Sequence, residues 1–244
     1  MNAIDKAFRN GRHVLSEFES KIILASYGIP VARERLVHSK NEAFSSAREI
    51  GYPVVLKGCS VEFVHKTEHH LVALNLKNES EAGESYDRIW KIIGKTDGGM
   101  LVQEMVSGSR ELAIGLTRDA QLGPSVMFGL GGIFMEILKD VSFRTAPLSR
   151  KDSFEMMREI RGARILDAIR GMEAVNLDVL SRCLMALGQI GLDHPEIKEI
   201  DVNPMIVRKG EPIAVDALVI LDGEIDPHQG ISGYKKQSVS YFGS

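Results

Sequence analysis

The sequence predicts an α+β fold built as two lobes, and three observations lead there. Capped amphipathic stretches and alternating apolar stretches are mixed along the chain, without the regular strand–helix alternation of a doubly wound sheet. Residues 106–108, ending in Gly108, read as a joint between two such mixed sets. The 244 residues are 44% hydrophobic and 26% charged, ordinary values for a chain that buries a substantial core. The lobes are expected at 1–106 and 107–225, with a polar tail at 226–244.

Each element has a local reason. Ser16 and Glu19 form a capping box that opens a helix to about residue 26, with Phe18, Ile22, Ile23 and Ala25 as its apolar stripe. Gly28 and Pro30 end it, and 31–37 reads as a strand. Ser39 and Glu42 open a second helix, closed by Gly51 and Pro53. Residues 54–56 are an apolar run that ends in Lys57. A polar, His-rich segment, VEFVHKTEHH, precedes a strand at 71–76, a helix at 80–93 and a strand at 100–106. Beyond the joint, 111–117 and 125–128 read as strands around a turn. Gly129, Gly131 and Gly132 make a glycine-rich turn before an expected strand at 133–138, and 143–147 reads as a connector. Helices are expected at 152–161 and 177–189.

The closing stretch, 199–219, reads as a hairpin. Ile200 and Val202 alternate with Glu199, Asp201 and Asn203, so one face is apolar and the other polar. Lys209 and Gly210 supply the turn. Pairing Arg208 with Glu211 and counting outward sets Asn203 opposite Asp216. Opposed side chains in an antiparallel pair stand roughly 4.5–5.5 Å apart at Cβ. An amide oxygen and a carboxylate at that spacing suit one hard cation such as magnesium, with Asp201 beside them. The alternative is a solvated hairpin. Asp216 argues against it, because Ala214, Val215, Ala217 and Leu218 surround it and a charge there needs a partner.

Composition excludes several classes of function. The formal net charge of −3 favours neither nucleic acid nor an anionic membrane surface. Cys59 and Cys183 are far apart and form no metal-ligand motif, as expected of a reducing compartment. The first residues are polar, and no run reaches the roughly 18 apolar residues of a membrane span. A cytoplasmic chain with no nucleic-acid and no membrane partner is expected.

Other residues carry possible chemistry, each with a plainer alternative. Lys57 presents a phosphate-binding point charge or simply emerges into water. Glu104 ends a strand and suits an adenine amino group, or is an ordinary strand end. Glu111 suits ribose hydroxyls, or is a solvated acid. GLGGIF offers backbone N–H groups to phosphate or makes a hairpin turn; it lacks a Walker A ending. Arg144 clamps a phosphoryl group or lies on the surface. His65, His69 and His70 are exposed loop histidines, a zinc site without cysteine support, or include a phosphoryl carrier.

Taken in order, these features resemble the ATP-grasp fold. The stretches LSEFESKIILASYGIPV, YPVVLKG, HKTE, QEMVSGSRELAIG, GGIFMEILKDVSFRTAPLS, EIDVNPMIV and AVDAL resemble the nucleotide-binding (beta) subunits of ADP-forming acyl-CoA synthetases, relatives of the succinyl-CoA synthetase beta subunit. The resemblance covers about residues 15–221. It implies ATP or ADP between two lobes, with Lys57 on phosphate, Glu104 on the adenine amino group, the Val106 backbone on the ring edge and Glu111 on ribose. It implies Mg2+ on Asn203 and Asp216, supported by Asp201. It implies a phosphohistidine relay, with His65 in the position of the family's second histidine, on a mobile loop. The family's CoA-binding Rossmann part has no counterpart here, so a CoA-binding alpha-type partner subunit is expected to supply the CoA and carboxylic acid sites. His69 and His70 stand where the family usually has two glycines. A stand-alone carboxylate ligase acting through acyl phosphate and a non-catalytic nucleotide-binding regulatory subunit are the competing readings.

Overall fold

The computed structural model describes residues 3–62 and 70–223, with Glu136 by its backbone alone. His65, His69 and the expected tail at 226–244 lie outside the described residues. Two antiparallel sheets organise the chain, as an α+β fold requires. The first has the order β1 (Glu34–Val37), β4 (Gly99–Glu104), β2 (Val54–Cys59) and β3 (Val72–Leu76). Helices α3 (Lys40–Ile50) and α4 (Glu79–Ile93) cover one of its faces, burying Leu56, Val102, Ile89 and Ile93 between them. Ser39 and Asn78 cap these helices through their side chains.

The second sheet runs β10 (Leu218–Leu221), β8 (Ile197–Arg208), β5 (Glu111–Asp119), β6 (Gly123–Leu130) and β7 (Val141–Thr145), with β9 (Glu211–Ala214) also on β8. Helices α6 (Arg150–Glu159) and α7 (Leu177–Asp193) cover one face, over Ile114, Leu116, Val126, Phe128, Ile200 and Val202. Its opposite face, carrying Gly115, Met127 and Asp201, turns away from those helices, because side chains alternate across a strand.

Residues 3–30 join this second core, which a division at residue 106 does not anticipate. Helix α1 (Ala3–Arg9) was not read from the sequence, and its Ile4, Ala7 and Phe8 pack with Leu15, Ile23, Leu24 and Ile29 into the larger cluster. Backbone bonds explain the attachment. Leu221 N donates to His13 O, Leu15 N to Val219 O and Ala32 N to Ala214 O, so the N-terminal run covers the β9–β10 edge. Two other expectations fail. The expected strand at 133–138 is a short helix, α5 (Ile133–Leu138), and the expected connector at 143–147 begins as the edge strand β7. IFMEIL has the apolar content of a strand, and a short apolar run does not distinguish the two by periodicity.

Helix α2 (Glu17–Ser26) begins with the expected capping box. Glu19 N donates to Ser16 Oγ at 3.3 Å, and Ser16 N donates to the Glu19 carboxylate at 2.9 Å. Arg12 grips both Glu19 oxygens at 2.9 Å. Burial opposes the Glu19 charge, but the Arg12 and Ser16 hydrogen bonds outweigh it and hold the carboxyl at about 2. A depressed carboxyl stabilises the fold above its ordinary pKa of 4.5 and loses that contribution as pH falls toward 2. Glu19→Gln should therefore cost about 1–2 kcal/mol at pH 7, with the gap to wild type closing below pH 4.5; denaturant melts across that pH range measure it.

Candidate functional site

The hairpin forms as counted. Arg208 pairs with Glu211 across Lys209 (φ 50) and Gly210 (φ 79), the two positive-φ positions of a tight hairpin turn. The β8–β9 ladder reaches Met205↔Ala214, and Val215 N donates to Pro204 O one step further. The β8–β10 ladder resumes in the same register at Asp201↔Leu218. Asn203 and Asp216 therefore stand opposite by count, in the gap at 215–217 where the chain leaves the sheet. Across β5, the register shifts between Leu112 and Ile114, so Asn203 and Pro204 together face Ala113. That bulge keeps Asp201 and Asn203 on the helix-free face while Met205 and Val207 return to the core.

Asn203 Oδ1 accepts the Gly132 N–H at 2.9 Å, so the amide and the glycine-rich turn are one unit. Gly132 has φ +57, and a Cβ there would lie 1.9 Å from a Glu111 carboxylate oxygen; at Gly131 it would lie 2.5 Å from the Leu112 carbonyl. The turn thus brings Gly131, Gly132, Glu111 and Asn203 together. Asp201 is half-buried, and burial, then Asp216 and Glu199, push its carboxyl up to about 7. Glu199 is raised by burial, and its Oε1 is buried without a hydrogen-bond partner among the described residues. No group of three His, Cys, Asp or Glu side chains gathers as a metal-ligand cluster among the described residues. Asp201, Asp216 and Asn203 make a smaller oxygen set, which suits a cation that takes few protein ligands.

The first sheet contributes Lys57, only 5% exposed. Its Nζ donates to Glu17 Oε1 at 2.7 Å and to Val215 O at 2.5 Å. It does not emerge into water. Glu104 ends β4, and its carboxylate accepts from Arg33 N at 3.0 Å, Arg208 at 2.9 Å and the Arg33 guanidinium at 3.4 Å. Burial opposes its charge, but Arg33 and Arg208 outweigh it and hold the carboxyl below its ordinary range. Val106 is buried with Ala32, Ile213 and Val215, and half-buried Ile206 packs on them. This small apolar cluster joins the two sheets.

Arg144 is not brought to this cleft. It pairs with Val126 in the β6–β7 register and so projects to the helix-covered face, where its guanidinium binds Glu159 of α6. Phe143, its neighbour, takes the open face and is exposed. His70 is exposed with φ 56, the left-handed region that glycine adopts most easily, and its carbonyl accepts from Arg88. Glu17 and Lys21, both buried beside Lys57, were missed by sequence reasoning, because the expected stripe of Phe18, Ile22, Ile23 and Ala25 is largely the wrong side of the helix: Ile22 and Ala25 are exposed, and Glu17, Ser20, Lys21, Ile23 and Leu24 are buried.

Lys57 of one sheet thus holds the Val215 carbonyl of the other, next in sequence to Asp216, while Asn203 and the glycine turn are joined by their own bond. A family profile for the ATP-grasp domain matches residues 6–221. The beta subunit of ADP-forming acetate–CoA ligase I from Pyrococcus furiosus is 44% identical over 223 residues, 89% of this chain and 96% of that one. An ADP-forming acetate–CoA ligase I from Archaeoglobus fulgidus is 38% identical over 91% of this chain, which spans 33% of that longer protein. An acetyl-coenzyme A synthetase from Ca. Korarchaeum cryptofilum, solved with coenzyme A and Ca-AMPCP, superposes with a TM-score of 0.85 at 44% identity, covering 90% of this chain and 98% of that one. A second structure of that enzyme holds Mg-AMPPCP, with a phosphohistidine segment pointing towards the nucleotide binding site; its TM-score is 0.81 at 44% identity, with 90% and 98% covered. The chain belongs to the ATP-grasp family and, within it, to the beta subunits of ADP-forming acyl-CoA ligases.

A carboxyl raised by burial and like charge destabilises the fold when ionised. Between 3.8 and about 7 the folded chain holds a proton that the unfolded chain has released, so stability falls as pH rises through that window. In chelating buffer, Asp201→Asn should raise stability at pH 8 by on the order of 1–3 kcal/mol, with the gain shrinking toward pH 4; thermal melts at the two pH values measure it.

Proposed function

We propose that this chain binds Mg-ATP and Mg-ADP in the cleft and exchanges a phosphoryl group with a phosphohistidine on a CoA-binding partner subunit, which couples the exchange to acyl-CoA formation from a small carboxylic acid. The observation that carries this reading is the meeting of Lys57 with the 215–217 segment, which unites a fixed cation of one lobe with Asp216 of the other. Such transfer requires mostly positioning and charge neutralisation.

The roles follow from the contacts. Lys57 attracts the phosphate tail. Glu104 already takes three hydrogen bonds, and a carboxylate accepts about four, so an adenine amino group takes the remaining site. The Val106 backbone reads the ring edge, and Glu111, held against Gly132, takes the ribose hydroxyls. Asp201, Asp216 and Asn203 would hold Mg2+, which supplies charge neutralisation on the phosphates when bound. A cation at Asp201 and Asp216 would also offset the burial and the like charge that together raise the Asp201 carboxyl. His65 is assigned a relay role on the motif HKTE alone.

A partner is supported by the surface beside the glycine turn. Ile133, Phe134, Ile137 and Leu138 of α5 are 46–71% exposed, next to exposed Phe143, and an apolar patch of this kind marks a contact surface. The relatives named as beta subunits agree with it.

Asp216→Ala and Lys57→Ala should each weaken Mg-ADP binding at least about tenfold (1.4 kcal/mol) with the fold retained, by calorimetry and circular dichroism. Unchanged affinity in either variant removes that residue from the site. With a CoA-binding partner, ATP should leave acid-labile phosphate on His65, and His65→Ala should lose acyl-CoA formation; full activity in that variant excludes the relay. Tight Mg-nucleotide binding with no transfer beside a partner would instead define a regulatory subunit. Ile137→Glu should weaken partner association in sedimentation while Mg-ADP affinity stays at the wild-type value.

A further inference from the structure

Glu17 is the first residue of α2 and is 4% exposed. Its Oε1 lies 2.7 Å from the ammonium of Lys57 and 2.7 Å from that of Lys21. Lys21, 2% exposed, also donates to Glu34 at 2.5 Å and to Gln103 at 2.7 Å. Burial opposes charge on Lys21, but Glu17 and Glu34 outweigh it and hold the amine protonated. Two carboxylates and two ammoniums thus form one buried, neutral cluster between the open face of the first sheet and helix α2. The same helix is anchored to the second sheet: Ile23 and Leu24 lie in its core, and Ser20 Oγ accepts the Val219 N–H at 3.1 Å.

We propose that Glu17 is a positioning residue for the nucleotide's phosphates, acting through Lys57, with Lys21 as its charge partner. The inference rests on the reading of Lys57 as the phosphate-binding cation. Lysine is a point charge on a four-carbon stem, and without fixed acceptors it sweeps a volume. Glu17 and the Val215 carbonyl, on separate rigid elements, hold its nitrogen at one place. A lone carboxylate would also neutralise the charge that phosphate needs. Lys21 answers that by taking half of the Glu17 charge, so Lys57 stays oriented and keeps part of its attraction. Helix α2 is then part of the nucleotide site as well as a filler of the second core.

The alternative is a clasp that only joins the two sheets, and a double substitution separates them. Glu17→Gln leaves two buried ammoniums facing one carboxylate and should lower stability. Adding Lys21→Met removes the surplus charge but also takes the donor from Glu34 and Gln103, so Glu17→Gln/Lys21→Met restores the charge balance and should fold with a melting temperature below wild type. If Glu17 positions Lys57, calorimetry on the full chain should still show Mg-ADP affinity about tenfold weaker in the double variant, while adenosine affinity is unchanged. Wild-type Mg-ADP affinity in the folded double variant overturns the proposal and leaves a clasp. A parallel fall for adenosine and Mg-ADP overturns it too, as general damage to the cleft. Should the double variant fail to fold, Glu17→Asp, which keeps the charge and shortens the reach, must weaken Mg-ADP selectively, and equal affinity overturns the proposal. Lys57→Met is measured beside these: wild-type Mg-ADP affinity there would overturn the Lys57 reading itself, whereas weakened binding there with none in the double variant would fault Glu17 alone.

Discussion

The interruption of the hydrogen-bond ladder at 215–217 sets the geometry of everything around it. On both sides of the gap the register against β8 is the same, so the chain leaves the sheet for three residues and returns without a slip. Val215 N still donates to Pro204 O, but proline has no N–H to return, so the Val215 carbonyl needs another donor at this buried position. Lys57, from the other sheet, is that donor. Joining of the sheets and fixing of a cation thus share one origin. Burial, then the charges of Asp216 and Glu199, raise the Asp201 carboxyl to about 7.

The electrostatics of the cleft divide between satisfied and unsatisfied groups. Glu104, Glu17 and Lys21 are paired on every side and act as fixed struts across the sheets. Burial opposes the charges of both Asp201 and Glu199, and at Asp201 the neighbouring Asp216 and Glu199 add to it. The energy of that opposition is small beside the two buried cores, which include nearly all of the large aliphatic side chains of β5, β6 and β8.

Legibility in the sequence followed locality. The Ser16–Glu19 box, the Lys209–Gly210 turn and the Arg208–Glu211 pairing all depend on residues within a few positions of one another, and all formed as read. The register counted from that turn reaches Met205↔Ala214 and is the same again at Asp201↔Leu218, which sets Asn203 against Asp216 by count across the break. Arg144 shows the limit of the same logic. Its type and neighbourhood suited a phosphate, but strand alternation sent it to α6 and Glu159. The helix at Ile133–Leu138 defeats a strand reading because five apolar residues in a run of six carry no usable period, and the helix starts at Gly132, whose N–H is held by Asn203. The Glu17–Lys57 pair, 40 residues apart in sequence, left no local trace.

By itself, the order of residues determined the α+β class, the caps and turns and the hairpin register. These depend on short-range sterics and hydrogen bonding, which the chain carries wherever it goes. Tertiary structure decided which side chains meet. It assigned residues 3–30 to the second core, turned Arg144 away, placed Glu17 and Lys21 under Lys57 and crowded Asp201 against Asp216. Those outcomes depend on which faces two sheets present to each other, and burial across a fold has no spacing in sequence from which to be read.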